Sequence, residues 1–202
     1  ARRRMDVIPP VSLKFGSNVG VFTPGGTRPV TVEVNAARAN TSGTVELELT
    51  DGWLAMPATQ RFRLAGVGEK TQLTFNVTAP GRPAGAKIGV RATVNGANYN
   101  TQRTEIRYPH IPVQLLQPVA RLRAVALDVV ARGGNVGYLP GAGDDTREAL
   151  EELGYAVTTL QGPDLTPEKL RGLDAVVIGV RAFNERDDLA ANLPGLFAYV
   201  EN

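Results

Sequence analysis

The sequence predicts two folding units, a β-sandwich over residues 1–117 and part of an α/β domain over residues 118–202. From Val11 to about Ile106, short β-branched runs alternate with Gly, Pro, Asn and Asp, without a helical period. From Asn135 onward, strand-like runs alternate with helical ones, which is typical of a parallel sheet with crossover helices. A chain of 202 residues is long enough for two modest cores.

The β-rich part predicts about seven strands in two sheets. Turn signals separate the runs, and Asn95-Gly96 between two of them is the sharpest indication of a hairpin. The predicted strands are Val19–Phe22, Val30–Ala36, Gly43–Leu49, Gln60–Leu64, Lys70–Val77, Ala86–Val94 and Gln102–Arg107.

A proline-rich segment, Tyr108–Gln117, is the predicted linker between the two units. Pro109 and Pro112 exclude a regular helix and favour an extended connector. The following run, Leu122–Val130, alternates as a strand and could belong to either domain, and Gly133-Gly134 marks the change in pattern after it.

The second part predicts three strands and three helices in alternation. Asp145 with Glu148 predicts a capping box, Gly154 a helix end, and Thr166 before Pro167 a helix start. Because doubly wound sheets usually contain five or six strands, we expect this domain to be truncated and its missing strands to be supplied from elsewhere. The predicted elements are Val136–Leu139, Thr146–Leu153, Ala156–Leu160, Pro167–Leu173, Ala175–Val180 and Leu189–Tyr199.

Composition excludes several classes of function. The 22 basic and 20 acidic residues leave a net charge of +2, so we expect no nucleic-acid partner, and we read the basic run at residues 2–4 as a solvated tail. No apolar run is long enough for a membrane span. The absence of cysteine excludes disulfides and thiolate chemistry but is compatible with both cytoplasm and periplasm.

The first predicted α/β loop has a partial phosphate-binding pattern, Gly141-Ala142-Gly143-Asp144-Asp145. Thr146 occupies the place of the third glycine, and two acids at a helix start repel phosphate, so a tight turn is the favoured interpretation. Any ligand site in this half is expected at the carboxyl ends of the strands, where the candidate contacts are Asp144, Asp145, Arg181 and Asn184.

In the sandwich, Trp53 follows Asp51-Gly52 and is either a core residue or a sugar-stacking platform. His110 is the single histidine, so it can form neither a Cys–His pair nor a zinc site of several histidines.

Two stretches carry a family resemblance. Residues 44–94, with Asp51-Gly52-Trp53, Pro57, Thr78-Ala79-Pro80 and Ala84-Gly85, resemble bacterial immunoglobulin-like domains of carbohydrate-active enzymes. The second stretch is similar to the C-terminal region of large bacterial PIG-L (LmbE-like) deacetylases, in which a glutamine-amidotransferase-like domain follows an immunoglobulin-like one. It contains Tyr108-Pro109-His110-Ile111-Pro112, Gly137-Tyr138-Leu139-Pro140-Gly141-Ala142-Gly143-Asp144, Leu153-Gly154-Tyr155 and Gly179-Val180-Arg181-Ala182-Phe183-Asn184.

The resemblance implies an immunoglobulin-like sandwich and a partial flavodoxin- or amidotransferase-like domain of a periplasmic or secreted bacterial protein. It implies a zinc-dependent hydrolase that removes N-acetyl groups from sugars, with the metal in an N-terminal domain that has a His-Pro-Asp-Asp motif. That motif and the amidotransferase cysteine are absent here, so no catalytic, cofactor or metal residue is carried over.

The leading hypothesis is therefore a non-catalytic accessory region that serves the parent deacetylase as a spacer, docking or assembly unit. The expected partners are the remainder of the parent, a glycan or a second copy. The alternatives are a carbohydrate-binding module with Trp53, Tyr99 and Tyr108 as stacking groups, and a small-molecule site on Asp144, Arg181 and Asn184.

Overall fold

The structure of the protein, a computed structural model, describes residues 7–128 and 134–201. The chain divides into a first unit, Ala1–Asp128, and a second unit, Val129–Asn202. The basic run at residues 2–4 and the glycine at 133 lie outside the described residues.

The first unit consists of β-strands joined by turns. In chain order they are β1 (Val11–Phe15), β2 (Val19–Phe22), β3 (Thr27–Ala36), β4 (Thr41–Glu48), β5 (Leu54–Met56), β6 (Thr59–Leu64), β7 (Lys70–Thr78), β8 (Ala84–Val94), β9 (Ala97–Tyr99), β10 (Thr104–Ile106), β11 (Gln114–Leu116) and β12 (Arg121–Ala126).

The described strands form two main sheets that face each other as the predicted β-sandwich. One has the order β1-β3-β7-β5; the other has the order β2-β12-β8-β4-β6, with β9 paired to β8. Period-two alternation directs one set of side chains inward, and fully buried Val32 and Phe75 of the first sheet share a core with Ile88 of the second. Each such side chain contributes roughly 1.5–3 kcal/mol by leaving water.

The predicted hairpin at Asn95-Gly96 is confirmed. Strands β8 and β9 pair in antiparallel register with Val94 opposite Ala97, and both turn residues have positive φ, 49° and 79°. Positive φ at both central positions is what a type I′ hairpin turn requires, and Asn-Gly satisfies it at little steric cost.

The predicted linker is wrong. Strands β10 and β11 pair with each other, so residues 104–116 form a hairpin instead of an extended connector. After it, the amide of Ala120 donates to the carbonyl of Asn100 at 2.8 Å. Strand β12 then inserts between β2 and β8, which moves the boundary from residue 117 to Asp128. Prolines exclude a helix but are compatible with the turn of a hairpin.

The second unit contains strands and helices. They are β13 (Asn135–Leu139), α1 (Thr146–Glu152), β14 (Ala156–Thr159), a 3-10 helix (Gly162–Asp164), α2 (Pro167–Leu170), β15 (Ala175–Ile178), α3 (Ala182–Glu185) and α4 (Asp187–Glu201). Among the described residues, the three strands form a parallel sheet in the order β14-β13-β15. Leu139, Leu170 and Leu189 are fully buried in its core.

Two of the three predicted helix ends in this unit agree with the structure. Thr166 caps α2 by accepting from the amide of Lys169 at 3.4 Å, and Gly154 follows α1 with φ of 93°, both as predicted. The predicted capping box at Asp145 is wrong, because the Asp145 side chain makes no cap hydrogen bond. The neighbouring Asp144 carboxylate instead accepts from the amide of Thr146 at 3.0 Å.

Candidate functional site

The candidate site is the edge of the parallel sheet where β13, β14 and β15 end. Since the strands are parallel, their carboxyl ends lie together, and the loops that leave them begin at Pro140, Leu160 and Gly179. Open α/β sheets bind their ligands at this edge. The sequence predicted this location.

Asp144 is the polar centre of the first loop. Its Oδ1 accepts from the hydroxyl of Tyr138 at 2.6 Å and from the amide of Thr146 at 3.0 Å, and its Oδ2 accepts from the amide of Val180 at 2.8 Å. These donors hold the pKa of Asp144 well below its usual range, with the Tyr138 hydroxyl as the largest cause. The same bond, followed by burial, raises the pKa of Tyr138 to about 12.

Two glycines permit the close approach of the first and third loops. The amide of Ala142 donates to the carbonyl of Val180 at 2.8 Å. A Cβ at Gly141 would lie 2.1 Å from that carbonyl oxygen, and one at Gly179 would lie 2.6 Å from the amide nitrogen of Gly141. Side chains at either position would force the loops apart.

Arg186, between α3 and α4, connects the first two loops with the start of α4. Its guanidinium donates to Asp188 at 3.0 and 2.7 Å, to Gln161 Oε1 at 2.5 Å and to the carbonyl of Pro140 at 3.5 Å. Asp188 in turn accepts from the amide of Gly162 at 2.7 Å. The Asp188 carboxylate raises the pKa of Arg186, and the guanidinium lowers that of Asp188. We name Asp144, Arg186 and Asp188, with their partners, the strand-end clasp.

Sequence reasoning missed Arg186, Asp188 and Gln161. Gln161 directly follows the predicted strand Ala156–Leu160. This position alone could have identified it, because residues that follow a strand of a parallel sheet lie at the strand-end edge. Arg186 and Asp188 precede the predicted start of the last helix, and nothing in their spacing distinguishes them from surface charges.

The other predicted contacts of this edge are solvent-exposed. Arg181 adopts a left-handed conformation with φ of 56°, which is uncommon for a residue other than glycine. Its carbonyl accepts from the amide of Asn184 at 2.8 Å. Asp145 and Asn184 are exposed as well. Of the predicted set, Asp144 is the residue whose side chain the structure ties into the loops.

The predicted sugar-stacking groups of the first unit differ in exposure. Trp53 is 4% exposed and makes an edge-on contact with Phe22, with ring centroids 5.0 Å apart, so it is a core residue. Tyr99 is partly buried against the same core. Tyr108 is 57% exposed beside His110, with ring centroids 5.8 Å apart.

The donor set does not fit a zinc site. Within the described residues, no three His, Asp or Glu side chains come together as a group able to hold a metal ion. The chain also contains no cysteine, and its single histidine stacks on Tyr108. The strand-end clasp binds loop amides and a guanidinium, which is chemistry that fixes loop positions.

No helix in the described ranges combines the length and the apolar character that crossing a bilayer requires.

Comparison with known proteins identifies no family. No family model matches this chain, and no curated protein matches it. Among solved structures, Salmonella alpha-2-macroglobulin is similar with a TM-score of 0.38 and 15% identity, over 58% of this chain and 7% of that protein. A family 123 glycoside hydrolase from Clostridium perfringens has a TM-score of 0.35 and 8% identity, over 71% of this chain and 32% of that protein.

A third similar structure is a non-cellulosomal cohesin from Archaeoglobus fulgidus. Its TM-score is 0.32 at 10% identity, over 59% of this chain and 93% of the cohesin. These scores transfer no function to this chain, which spans a small fraction of the length of the alpha-2-macroglobulins it is compared with.

Proposed function

We propose that this chain is a non-catalytic accessory region of a larger PIG-L-like (LmbE-like) sugar N-deacetylase. In this proposal an immunoglobulin-like sandwich is the spacer, and an amidotransferase-like α/β unit docks onto the remainder of the parent. The resemblance of residues 108–184 to the C-terminal region of that family supports the assignment. Zinc belongs to the catalytic domain of the parent in this account.

The observation that supports the proposal is that the polar side chains of the strand-end clasp are hydrogen-bonded to other groups of the second unit. Both carboxylate oxygens of Asp144 accept hydrogen bonds from residues of their own sheet and loops. Arg186 donates to Asp188, Gln161 and Pro140. Groups engaged in this way hold loops in place, whereas a catalytic acid or base needs access to the substrate proton.

Helix α4 supports a docking role. Between residues 189 and 200 it contains no charged side chain. Leu189 and Leu196 are buried against the core, while Phe197 is 60% exposed and Val200 is 74% exposed on other faces. Large apolar side chains that are exposed next to each other on a helix are often covered by a partner, so we propose that the remainder of the parent covers the surface of Phe197 and Val200, the outer face of α4.

An activity assay tests the non-catalytic assignment. The purified chain, stripped with a chelator and then supplied with zinc, is incubated with an N-acetylglucosamine tetramer, and acetate release is measured. We expect no release above a mock purification. Zinc-dependent release that the chelator abolishes and that co-purifies with the chain would overturn the proposal.

A paired substitution tests the outer face of α4. Phe197→Ser with Val200→Ser should leave the melting temperature of the isolated chain unchanged and reduce binding of an apolar fluorescent dye, because both side chains lie in solvent. The matched control is Leu196→Ser, which lies in the same helix turn but is 8% exposed and should lower the melting temperature. A fall of equal size in both variants would contradict a free docking surface.

The two alternative functions have weaker support. A buried Trp53 offers no stacking face to a sugar, and the oxygens of Asp144 already have donors. A thermal-shift panel of N-acetylated and plain glycans, nucleotides and divalent metals separates these readings, since a ligand of the folded state raises its stability. A flat panel favours the accessory role, and a saturable shift that Asp144→Asn removes favours a small-molecule site.

A further inference from the structure

The outer face of the six-stranded sheet carries a group of positive side chains on two neighbouring strands. On β12, Leu122 and Ala124 are buried in the core, so Arg121 and Arg123 point to solvent and are exposed. On β8 the alternation likewise makes Lys87 exposed. We name Lys87, Arg121 and Arg123 the basic cluster. It belongs to the first unit and does not depend on the proposed accessory role.

The cluster brings like charges directly opposite each other. Arg123 pairs in register with Lys87, and directly opposite Cβ atoms in a sheet are about 4.5–5.5 Å apart. Arg121 lies two residues along the same strand, about 7 Å from Arg123. Like charges in this arrangement destabilise a sheet, so the fold retains a local electrostatic cost.

Within the described part of the chain, the three side chains of the cluster form no salt bridge. On the same strand, Arg91 shows the usual arrangement, because it pairs with Glu46 at 2.5 Å and with Glu48 at 3.5 Å. The cluster is therefore available to an external anion.

Gly85 on β8 opens the surface beside the cluster. Gly85 and Gly89 flank Lys87 on the same side of the strand, and a Cβ at Gly85 would meet nothing within 4 Å. The resulting depression has a volume of about 750 Å³ and is lined by the basic cluster together with Asn18 and Val125. Ligand sites commonly have volumes of roughly 300–1,000 Å³.

The depression continues past Lys87 into a second one. That neighbouring depression is lined by Thr50, Asp51 and Arg82, among others. At the opposite side, Glu48 approaches Gly89, where its Oε2 would lie 2.7 Å from an added Cβ. Two acids thus bound the positive surface and limit it to a short ligand.

We propose that this depression binds an acidic oligosaccharide, with sugar carboxylates held by the basic cluster. Guanidinium groups match carboxylates through paired hydrogen bonds. Asn18 and Thr50 offer polar groups to sugar hydroxyls, and the open space over Gly85, next to Val125, leaves room for the apolar face of a sugar ring. The described lining offers no exposed aromatic ring on which bases stack, and this disfavours single-stranded nucleic acid.

The test is a calorimetric titration of the purified chain with a galacturonic acid tetramer. Its methyl ester, which keeps the sugar backbone but lacks the charges, is the matched ligand control, and a single-stranded oligonucleotide is the competing polyanion. We expect saturable binding of the acid, weakened by added salt, and none of the ester. Tighter binding of the oligonucleotide, or no binding of the acid, would overturn the proposal.

Paired variants locate the site. Lys87→Gln with Arg123→Gln should weaken binding by about tenfold or more, because two charge-assisted contacts are lost. Arg63→Gln, an exposed cation on β6 of the same sheet, should leave the affinity unchanged. Equal losses in both variants would show non-specific charge attraction and refute the site. The paired variant should also melt no lower than the parent chain, because it removes the repulsion between opposite strands.

Discussion

Replacing Tyr138 by Phe tests the strand-end clasp directly. The hydroxyl donates to Asp144 Oδ1 at 2.6 Å, and the ring is 4% exposed, so the change removes one hydrogen bond and leaves the ring packing in place. Hydrogen bonds to charged groups contribute roughly 1.5–3 kcal/mol. Because Asp144 keeps the amides of Thr146 and Val180 as donors, we expect a loss near the lower end, about 1–2 kcal/mol.

The helical circular dichroism signal is the suitable probe for this variant. The single tryptophan, Trp53, lies in the first unit and reports on the sandwich, whereas α1 to α4 lie in the second. For a unit of this size the expected loss lowers the melting temperature by about 4–8 °C per kcal/mol. Hydrogen exchange at the amide of Val180, which donates to Asp144 at 2.8 Å, should accelerate as well.

The matched control is Tyr155→Phe, a partly buried tyrosine of the same unit. Its hydroxyl makes no hydrogen bond to a described residue, so the control should melt like the parent chain. Equal melting of the two variants, with unchanged exchange at Val180, would refute the reasoning that the Tyr138–Asp144 bond stabilises the loops.

Further predictions concern pH, packing and fluorescence. Because the pKa of Tyr138 is raised to about 12, its contribution to the stability of the second unit is complete below the ordinary tyrosine pKa near 10 and is lost as pH rises toward 12. An alkaline absorbance titration should show a tyrosine that ionises near pH 12, and Tyr138→Phe should remove this step. The pKa of Asp144 is lowered, so its contribution to the stability of the second unit is present above about pH 4 and disappears in stronger acid. Asp144→Asn removes the titrating group and should therefore reduce the loss of stability between about pH 4 and stronger acid. Gly141→Ala should destabilise the second unit, since the new Cβ lies 2.1 Å from the carbonyl oxygen of Val180, and a melting curve equal to that of the parent would contradict this. Trp53 should emit at short wavelength and resist quenching by iodide, and a red-shifted, quenchable emission would contradict its burial.

Much of the sandwich could be predicted because its strands alternate with strong turn residues. The hairpin at Asn95-Gly96 depends on two residues that tolerate positive φ. Because these two residues are adjacent, the turn can be predicted without knowledge of the rest of the fold. Strands β5, β9 and β11, by contrast, are three residues long and too short for a period-two pattern. They exist because neighbouring strands supply hydrogen bonds, which is tertiary information.

The candidate site was predictable in place but not in detail. The alternation of strands and helices locates the strand-end edge, and Asp144 was among the predicted contacts. Which acid caps α1 was not predictable, because Asp144 and Asp145 are adjacent and the choice depends on the amide of Val180 in a distant loop. Arg186 was missed for the same reason, since two of its partners, Pro140 and Gln161, come from separate loops that are distant in sequence.

The position of β12 affects how the first unit is made. This strand pairs in parallel with β2, near the start of the chain, and in antiparallel fashion with β8. A chain synthesised from its N-terminus therefore holds β2 and β8 with unsatisfied edges until Arg121–Ala126 has left the ribosome. The sheet is thus completed only when β12 has emerged, and a fragment cut at the proline-rich hairpin would lose the strand that joins β2 to the rest of the sheet.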